Sequence, residues 1–124
     1  MKIVHVDDSG FQRRLVKKLI TEHFQDAEFL SYSDIEVFNL FDNSEDFTDV
    51  DIFLTDLLMD KISGHNVIKY INSVNKKCCL AVLSSNVQIT EKEMCFDEGA
   101  DYFIEKPLNN EKLLKFKEFL NDKI

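Results

Sequence analysis

The chain has 124 residues, of which 44 % are hydrophobic, so it has the size and apolar content of one globular domain. Its formal net charge of −8 opposes binding to nucleic acid and to anionic membranes. The three Cys have no metal-ligand spacing and are interpreted as small hydrophobic residues, and no apolar run reaches the length of a membrane span. The N-terminus has no signal-peptide core, so we expect a cytoplasmic protein. Because of the negative charge, we expect no nucleic-acid and no membrane partner.

Five short runs of apolar or β-favouring residues predict five buried strands. The runs are nearly continuous rather than alternating, which is typical of a parallel sheet that is covered on both faces. The predicted strands are Ile3–Val6, Ala27–Tyr32, Asp51–Thr55, Cys78–Leu83 and Tyr102–Glu105.

A helical pattern follows each predicted strand. The helix that contains Met94 and Cys95 has the weakest apolar stripe, so we expect it to be the least firmly packed and a candidate moving part. The apolar stripes of the other four helices are Phe11, Leu15, Val16, Leu19 and Ile20; Val37, Leu40 and Phe41; Val67, Ile71 and Val74; and Leu113, Phe116 and Leu120.

Two helix starts and one helix end have recognisable local sequences. Ser33 and Glu36 have the spacing of a capping box, and Thr90 and Glu93 repeat it. Gly99 is placed to end the helix before it. Five strands that alternate with five helices predict an α/β domain with right-handed crossovers, arranged as a three-layer sandwich.

Polar residues stand at the ends of four predicted strands, and these ends lie on one edge of a parallel sheet. The first strand runs into Asp7–Asp8, the third ends at Asp56, the fourth at Ser84 and the fifth at Lys106. Open α/β sheets bind ligands at this edge. Each residue alone would be a cap, a turn residue or a solvated lysine, but their coincidence indicates a joint site. Three carboxylates together require a cation, most simply Mg²⁺, and a lysine with a hydroxyl suits an adjacent phosphoryl group.

These residues and their spacing resemble the receiver domains of two-component response regulators, including the single-domain CheY-like chemotaxis regulators. The resemblance covers residues 1–124 as one receiver domain, through "VDDSGFQRRLVKKLI", "LTDLLMDKISG", "LAVLSS" and "GADYFIEKPL". It implies a flavodoxin-like (βα)5 fold, a doubly wound parallel five-stranded sheet with strand order 2-1-3-4-5.

The resemblance also implies an acceptor and a metal site. Asp56 would be the phosphoacceptor. Asp7 and Asp8 would bind Mg²⁺ together with Asp56 and the backbone carbonyl of Leu58. The sequence departs from the family at Asp60, where proline is usual, which adds a negative charge near the site.

Three further positions acquire roles by the same resemblance. Ser84 would bond a phosphoryl oxygen, and Lys106 would bridge the acceptor and the phosphoryl group. The Lys106–Pro107 peptide bond is typically cis in this family. Phe103 would occupy the aromatic switch position, where tyrosine is common, although a plain core phenylalanine is the alternative interpretation. Ser84 and Phe103 together would form the switch.

The implied function is that of a phosphoacceptor signalling switch. A sensor histidine kinase or a phosphotransfer protein would donate the phosphoryl group to Asp56. The surface formed by the fourth helix, the fifth strand and the fifth helix, from Thr90 to Leu120, would then dock a downstream protein. The domain would catalyse only its own phosphorylation and dephosphorylation and would not be an enzyme in the ordinary sense. Because the chain ends after the fifth helix, output through a docking partner is expected, unless the sequence is a piece of a longer protein.

Two other classes of protein remain open at this stage. An aspartyl-phosphate phosphatase of the haloacid dehalogenase type would have D-x-D around its nucleophile, whereas the sequence has "DLLMD" and no room for a cap insertion. A pseudo-receiver would dock partners without phosphorylation. Asp60 and the weak fourth helix favour it, while the complete set of acidic, hydroxyl and lysine residues opposes it.

Overall fold

The structure is a computed structural model that describes residues 1–42 and 47–122. Its five parallel strands form one sheet in the order β2-β1-β3-β4-β5, so the strand order implied by the family resemblance is confirmed. The strands are β1 (Lys2–Val6), β2 (Glu28–Tyr32), β3 (Ile52–Asp56), β4 (Cys79–Ser84) and β5 (Tyr102–Glu105). Each predicted strand is present, and the predicted bounds differ from the observed ones by at most one residue.

Five helices alternate with the strands. They are α1 (Gly10–His23), α2 (Asp34–Asp42), α3 (Gly64–Val74), α4 (Ile89–Glu98) and α5 (Asn110–Asp122). In the part of the chain that the structure describes, none of these helices is long and apolar enough to cross a membrane.

The helices cover both faces of the sheet, which confirms the three-layer sandwich. Consecutive residues of a strand point to opposite faces. On β3, Phe53 therefore packs in the core under α2, α3 and α4, whereas Ile52 and Leu54 pack in the core under α1 and α5. All five residues of β3 and all six of β4 are buried, as expected for central strands that have neighbours on both sides and helices above and below.

The predicted capping boxes have opposite outcomes. At α2 the backbone N–H of Ser33 donates to Glu36 Oε1 at 2.9 Å, and the N–H of Glu36 donates to Ser33 Oγ at 3.2 Å, so this box is confirmed. The box at Thr90 and Glu93 is wrong. Helix α4 begins at Ile89 with Gln88 as its N-cap, and Gln88 makes no side-chain capping bond. Thr90 therefore already lies inside the helix, where its side chain cannot cap.

The predicted apolar stripe of α1 is also wrong at one position. Val16 and Ile20 are buried, but Phe11 is 66 % exposed. Helix α1 begins beyond the carboxyl end of β1, so the first turn, which contains Phe11, has no strand beneath it.

Gly99 ends α4, as the sequence predicts. It has a φ of 125°, a conformation that residues with a side chain rarely adopt, and its N–H bonds back to the last turn of α4. A Cβ at this position would also lie 2.6 Å from Cγ of Asn72 on α3. Gly99 is therefore required both for the turn and for the close approach of α4 to α3.

Candidate functional site

Asp7 and Asp56 stand at the carboxyl edge of the sheet because their strands are adjacent and parallel. Asp56 is the last residue of β3, and Asp7 follows the last residue of β1. Asp7 is 1 % exposed and Asp56 is 7 % exposed. The side chain of Asp8 joins them, and carboxylate oxygens of the three residues lie within 4.8 Å of one another. We call Asp7, Asp8 and Asp56 the acidic cluster.

Backbone hydrogen bonds hold the two buried carboxylates in place. The N–H of Ser9 donates to Asp7 Oδ1 at 2.9 Å, and the N–H of Leu57 donates to Asp56 Oδ1 at 2.9 Å. Arg13 adds a bond from Nη1 to the carbonyl oxygen of Asp7 at 2.7 Å. The carboxylates are thus oriented by the turns that follow β1 and β3.

Lys106 brings a positive charge to the acidic cluster from β5. Its Nζ lies 3.2 Å from Asp7 Oδ2 and 3.2 Å from Asp56 Oδ1. The backbone N–H of Lys106 donates to the carbonyl oxygen of Ser84 at 2.9 Å, and the Lys106–Pro107 peptide bond is cis. The ends of β4 and β5 therefore meet beside the acidic cluster.

Two carboxyl groups of the cluster hold their protons more strongly than an ordinary aspartate. Burial raises the pKa of Asp56, and the positive charge of Lys106 only partly opposes this. Burial also raises the pKa of Asp8, and the neighbouring Asp7 and Asp60 raise it further. The unusual Asp60 thus adds negative charge beside the cluster. Because like charges crowd here with one lysine, the donor set fits a divalent cation that prefers oxygen ligands.

The start of α3 lies directly against Asp56. A Cβ on Gly64 would be 2.1 Å from the carbonyl oxygen of Asp56 and 2.6 Å from the Cα of Leu57. The N–H of Gly64 donates to the carbonyl oxygen of Leu57 at 2.9 Å. Only glycine fits at this position. Gly64 therefore ends the loop that contains Leu58 and Asp60, beside the acidic cluster.

The structure places Ser84 and Phe103 on the side of the site next to α4. Ser84 is 2 % exposed and its Oγ accepts from the N–H of Asn86 at 3.0 Å. Phe103 is half-buried, with Lys92 Nζ of α4 at 5.4 Å from its ring centroid. Ser84 and Phe103 thus lie on the neighbouring strands β4 and β5, and Phe103 faces α4.

Sequence reasoning missed two residues that support the site. Asp34 is buried, and its Oδ2 accepts from the N–H of Lys61 at 2.6 Å, which ties the β3–α3 loop to α2. Arg13 on α1 donates from Nη1 to the carbonyl oxygen of Asp7. Neither position carries a local signal, because each partner lies elsewhere in the chain.

The fold and the acidic cluster define the class of protein, and the sequence comparison agrees. A family model, the response regulator receiver domain, matches residues 3–117, so the chain belongs to this family. Receiver domains are signalling domains rather than classical enzymes, and they generally bind Mg²⁺ at an acidic pocket.

Particular relatives are of the CheY type. A chemotaxis protein CheY homolog from Campylobacter jejuni is 26 % identical over 98 % of this chain and 91 % of its own length. The CheX–CheY–BeF3–Mg complex from Borrelia burgdorferi contains a chain with TM-score 0.82 at 22 % identity, covering 97 % of this chain and 88 % of that one. Vibrio cholerae CheY4 gives a TM-score of 0.79 at 23 % identity, covering 95 % and 96 %. At these identities the structural likenesses show the fold.

Some relatives are longer proteins. The chain spans 18 % of a cyclic di-GMP phosphodiesterase from Thermotoga maritima, at 35 % identity over 55 % of this chain. It spans 54 % of the two-component response regulator ARR3 from Arabidopsis thaliana, at 25 % identity over 95 % of this chain. The chain therefore spans only part of the length of these two relatives.

Proposed function

We propose that the chain is a phosphoacceptor switch, one receiver domain over residues 1–124, and that Asp56 accepts a phosphoryl group from a histidine. The observation that carries this proposal is the position of the Asp56 carboxylate, within 4.8 Å of the carboxylates of Asp7 and Asp8 and 3.2 Å from Lys106 Nζ. An acceptor for phosphoryl transfer needs cations on both sides of the transferred group. Lys106 supplies one, and the acidic cluster is suited to hold the other.

Asp7, Asp8 and Asp56, with the backbone carbonyl of Leu58, would hold the Mg²⁺. The all-oxygen donor set and the crowding that raises the pKa of Asp8 and Asp56 fit this ion. When bound, Mg²⁺ would neutralise negative charge on the phosphoryl oxygens and favour the ionised form of the Asp56 carboxylate, which is the nucleophile.

In the transfer step, an Asp56 oxygen forms a bond to phosphorus as the phosphorus–nitrogen bond of the donor phosphohistidine breaks. The electron pair of that bond returns to the imidazole, which takes up a proton. Lys106 donates hydrogen bonds to the equatorial oxygens, and the backbone N–H of Leu57 holds the carboxylate in orientation. The domain thereby catalyses only its own phosphorylation and, through water, its own dephosphorylation.

Phosphorylation would be relayed through Ser84 and Phe103. The phosphoryl group adds roughly −1.5 to −2 charge and strong hydrogen-bond acceptors beside β4. The Ser84 hydroxyl would turn from its bond with Asn86 toward these oxygens, and the Phe103 ring would move into the space that is released. The surface of α4, β5 and α5 would change with them, as a shift between two pre-existing states.

The partners that this mechanism requires are a sensor histidine kinase or a phosphotransfer protein, and a downstream protein that docks on the α4–β5–α5 surface. We place the protein in the cytoplasm, where such donors act. The C. jejuni relative is named a chemotaxis protein, which makes the chemotaxis pathway one candidate for the output.

Intact-mass measurement after incubation with Mg²⁺ and either acetyl phosphate or a phosphohistidine donor tests the proposal. We expect one phosphoryl adduct on the wild-type chain, lost with EDTA and absent in Asp56→Asn. The matched control is Asp60→Asn, which removes a carboxylate of the same loop and should keep the adduct. If neither donor produces an adduct while Mg²⁺ binds, the proposal fails and the chain acts as a pseudo-receiver.

A further inference from the structure

A second group of ionisable side chains lies between α3 and α4, outside the acidic cluster. The imidazole of His65 on α3 stands between two carboxylates of α4: its Nδ1 contacts Glu98 Oε1 and its Nε2 contacts Glu91 Oε1. One ligand atom each from His65, Cys95 and Glu98 lie within 4.8 Å of one another. We call His65, Glu91, Cys95 and Glu98 the α3–α4 cluster.

The α3–α4 cluster is a built feature of the fold rather than a chance meeting of surface charges. Glu91, Cys95 and Glu98 are spaced four and three residues apart, so they lie on one face of α4. Cys95 is fully buried, the Glu98 side chain is 9 % exposed and that of His65 is 20 % exposed. Gly99 and Gly64, which hold α4 close to α3 and α3 close to Asp56, flank the cluster in the chain.

The donor atoms of this cluster differ in kind from those of the acidic cluster. An imidazole nitrogen, a thiolate sulfur and a carboxylate oxygen form a donor set that prefers Zn²⁺ and related transition ions to Mg²⁺. A histidine that ligates zinc through one ring nitrogen usually donates its other N–H to a carboxylate. Glu91, at 2.5 Å from Nε2, is in that position when Nδ1 is the ligand.

We propose that His65 Nδ1, Cys95 Sγ and a Glu98 carboxylate oxygen bind one Zn²⁺, with Glu91 as the acceptor that orients the imidazole. Water would complete the tetrahedron. On binding, the sulfur–zinc bond forms as the Cys95 thiol releases its proton to solvent. His65 Nδ1, which faces the Glu98 carboxylate when no metal is bound, releases its proton to solvent as well, and Glu98 Oε1 exchanges its contact with His65 for the metal. Lys69, whose Nζ lies 3.4 Å from Glu98 Oε2, remains paired with the other carboxylate oxygen.

The Cys95 thiol becomes a thiolate ligand only when a metal is bound. Burial, together with the charges of Glu91 and Glu98, raises the pKa of the Cys95 thiol to about 11, so without metal it is neutral. Metal binding must therefore displace that proton.

A metal in this position would affect the part of the domain that the proposed switch moves. Within the described residues of α4, Cys95 is the buried one, and His65 is the α3 residue that holds Glu91 and Glu98. A Zn²⁺ shared by the two helices would stabilise the conformation in which they are held together, in proportion to its concentration relative to its dissociation constant.

Titration of the whole chain with Co²⁺ in excess Mg²⁺ tests the proposal. Co²⁺ replaces Zn²⁺ in such sites, and Mg²⁺ keeps the acidic cluster filled. We expect one Co²⁺ per chain, a sulfur-to-cobalt charge-transfer band in the near ultraviolet, and displacement of Co²⁺ by one equivalent of Zn²⁺. A titration without that band overturns the proposal, and the cluster is then only a histidine paired with two carboxylates.

Two variants test the ligand assignment at Cys95 and His65. Cys95→Ser should abolish the charge-transfer band, and His65→Gln should weaken Co²⁺ binding by at least about tenfold, since it removes a ligand. The matched control is Cys79→Ala, which removes a buried thiol from the opposite face of the sheet and should keep the band. If Cys95→Ser does not fold, His65→Gln decides, because its side chain is partly exposed. A band that survives in His65→Gln at unchanged affinity contradicts the assignment.

Discussion

The strand ends that hold the acidic cluster and the helix that lies beside it are built in different ways. Asp7 and Asp56 are placed by β1 and β3, whose residues are almost all buried and whose backbones pair with strands on both sides. Helix α4 has Cys95 buried, while Ile89, Met94 and Phe96 are 72 %, 50 % and 46 % exposed.

The two regions are suited to different tasks: the strand ends to holding the acidic cluster, and α4 to changing position. The acidic cluster keeps its geometry because backbone pairing fixes it. Helix α4 rests on few buried contacts and on the ion pairs of His65, so its position is the less costly one to change. The proposed switch therefore acts on the element whose displacement disturbs the core least.

The largest expected effect comes from replacing one phenylalanine by alanine in each of the two regions. Phe53→Ala, at a fully buried position of β3, should lower the free energy of unfolding by about 3–5 kcal/mol. Phe96→Ala, at an exposed position of α4, should change it by no more than about 0.5 kcal/mol. Urea denaturation monitored by circular dichroism measures both. Equal losses in the two variants would mean that α4 is packed as firmly as the central strand.

An intermediate effect is expected from substitutions at the starts of α2 and α4. Ser33→Ala removes one half of a formed capping box and should destabilise the chain by about 1 kcal/mol. Thr90→Ala should have almost no effect, because Thr90 lies inside α4 and caps nothing there. Urea denaturation monitored by circular dichroism measures the free energy of unfolding of both variants. A loss in Thr90→Ala as large as in Ser33→Ala would restore the capping box that the sequence predicts at α4.

The smallest expected effect concerns the electrostatics of the acidic cluster. The pKa of Asp56 and that of Asp8 are raised in the folded chain above the ordinary value of 3.8. The folded state then binds more protons than the unfolded state, so the free energy of unfolding without divalent ions should fall as pH rises from about 3.8 through the raised pKa values. Asp56→Asn should therefore raise the melting temperature at pH 7 in EDTA.

Addition of Mg²⁺ provides the control for this effect. Mg²⁺ should stabilise the wild-type chain and stabilise Asp56→Asn less, because the variant lacks one charged ligand. If Asp56→Asn melted at a lower temperature than the wild type in EDTA, the ion pair with Lys106 would outweigh the cost of burying the carboxylate.

The strands and the acidic cluster were predictable from the sequence because both depend on local patterns. Continuous apolar runs mark the central strands, and parallel strands bring their carboxyl ends to one edge, so Asp7, Asp56 and Lys106 had to meet once the sheet was parallel. The strand order came only from the family resemblance, because no feature of a single strand specifies its neighbours.

The α3–α4 cluster was not predicted, because His65 lies 26 residues from Glu91 and 33 from Glu98 in the chain. Its one sequence signal was the spacing of Glu91, Cys95 and Glu98 along a single helix face. The start of α4 was misplaced for a related reason: Gln88 is a poor capping residue, so the nearby Thr90 was the stronger candidate by residue type alone.

We propose that chemistry at Asp56 moves the region around α4 and leaves the central strands in place. Amide chemical shifts of the isotope-labelled chain, recorded in Mg²⁺ with and without the phosphoryl mimic beryllium fluoride, test it most directly. We predict large shifts from Ser84 through Lys106, small shifts in β1 and β2 away from the acidic cluster, and no response in Asp56→Asn. Shifts confined to the neighbourhood of Asp7, Asp8 and Asp56, with α4 and Phe103 unchanged, would contradict the claim.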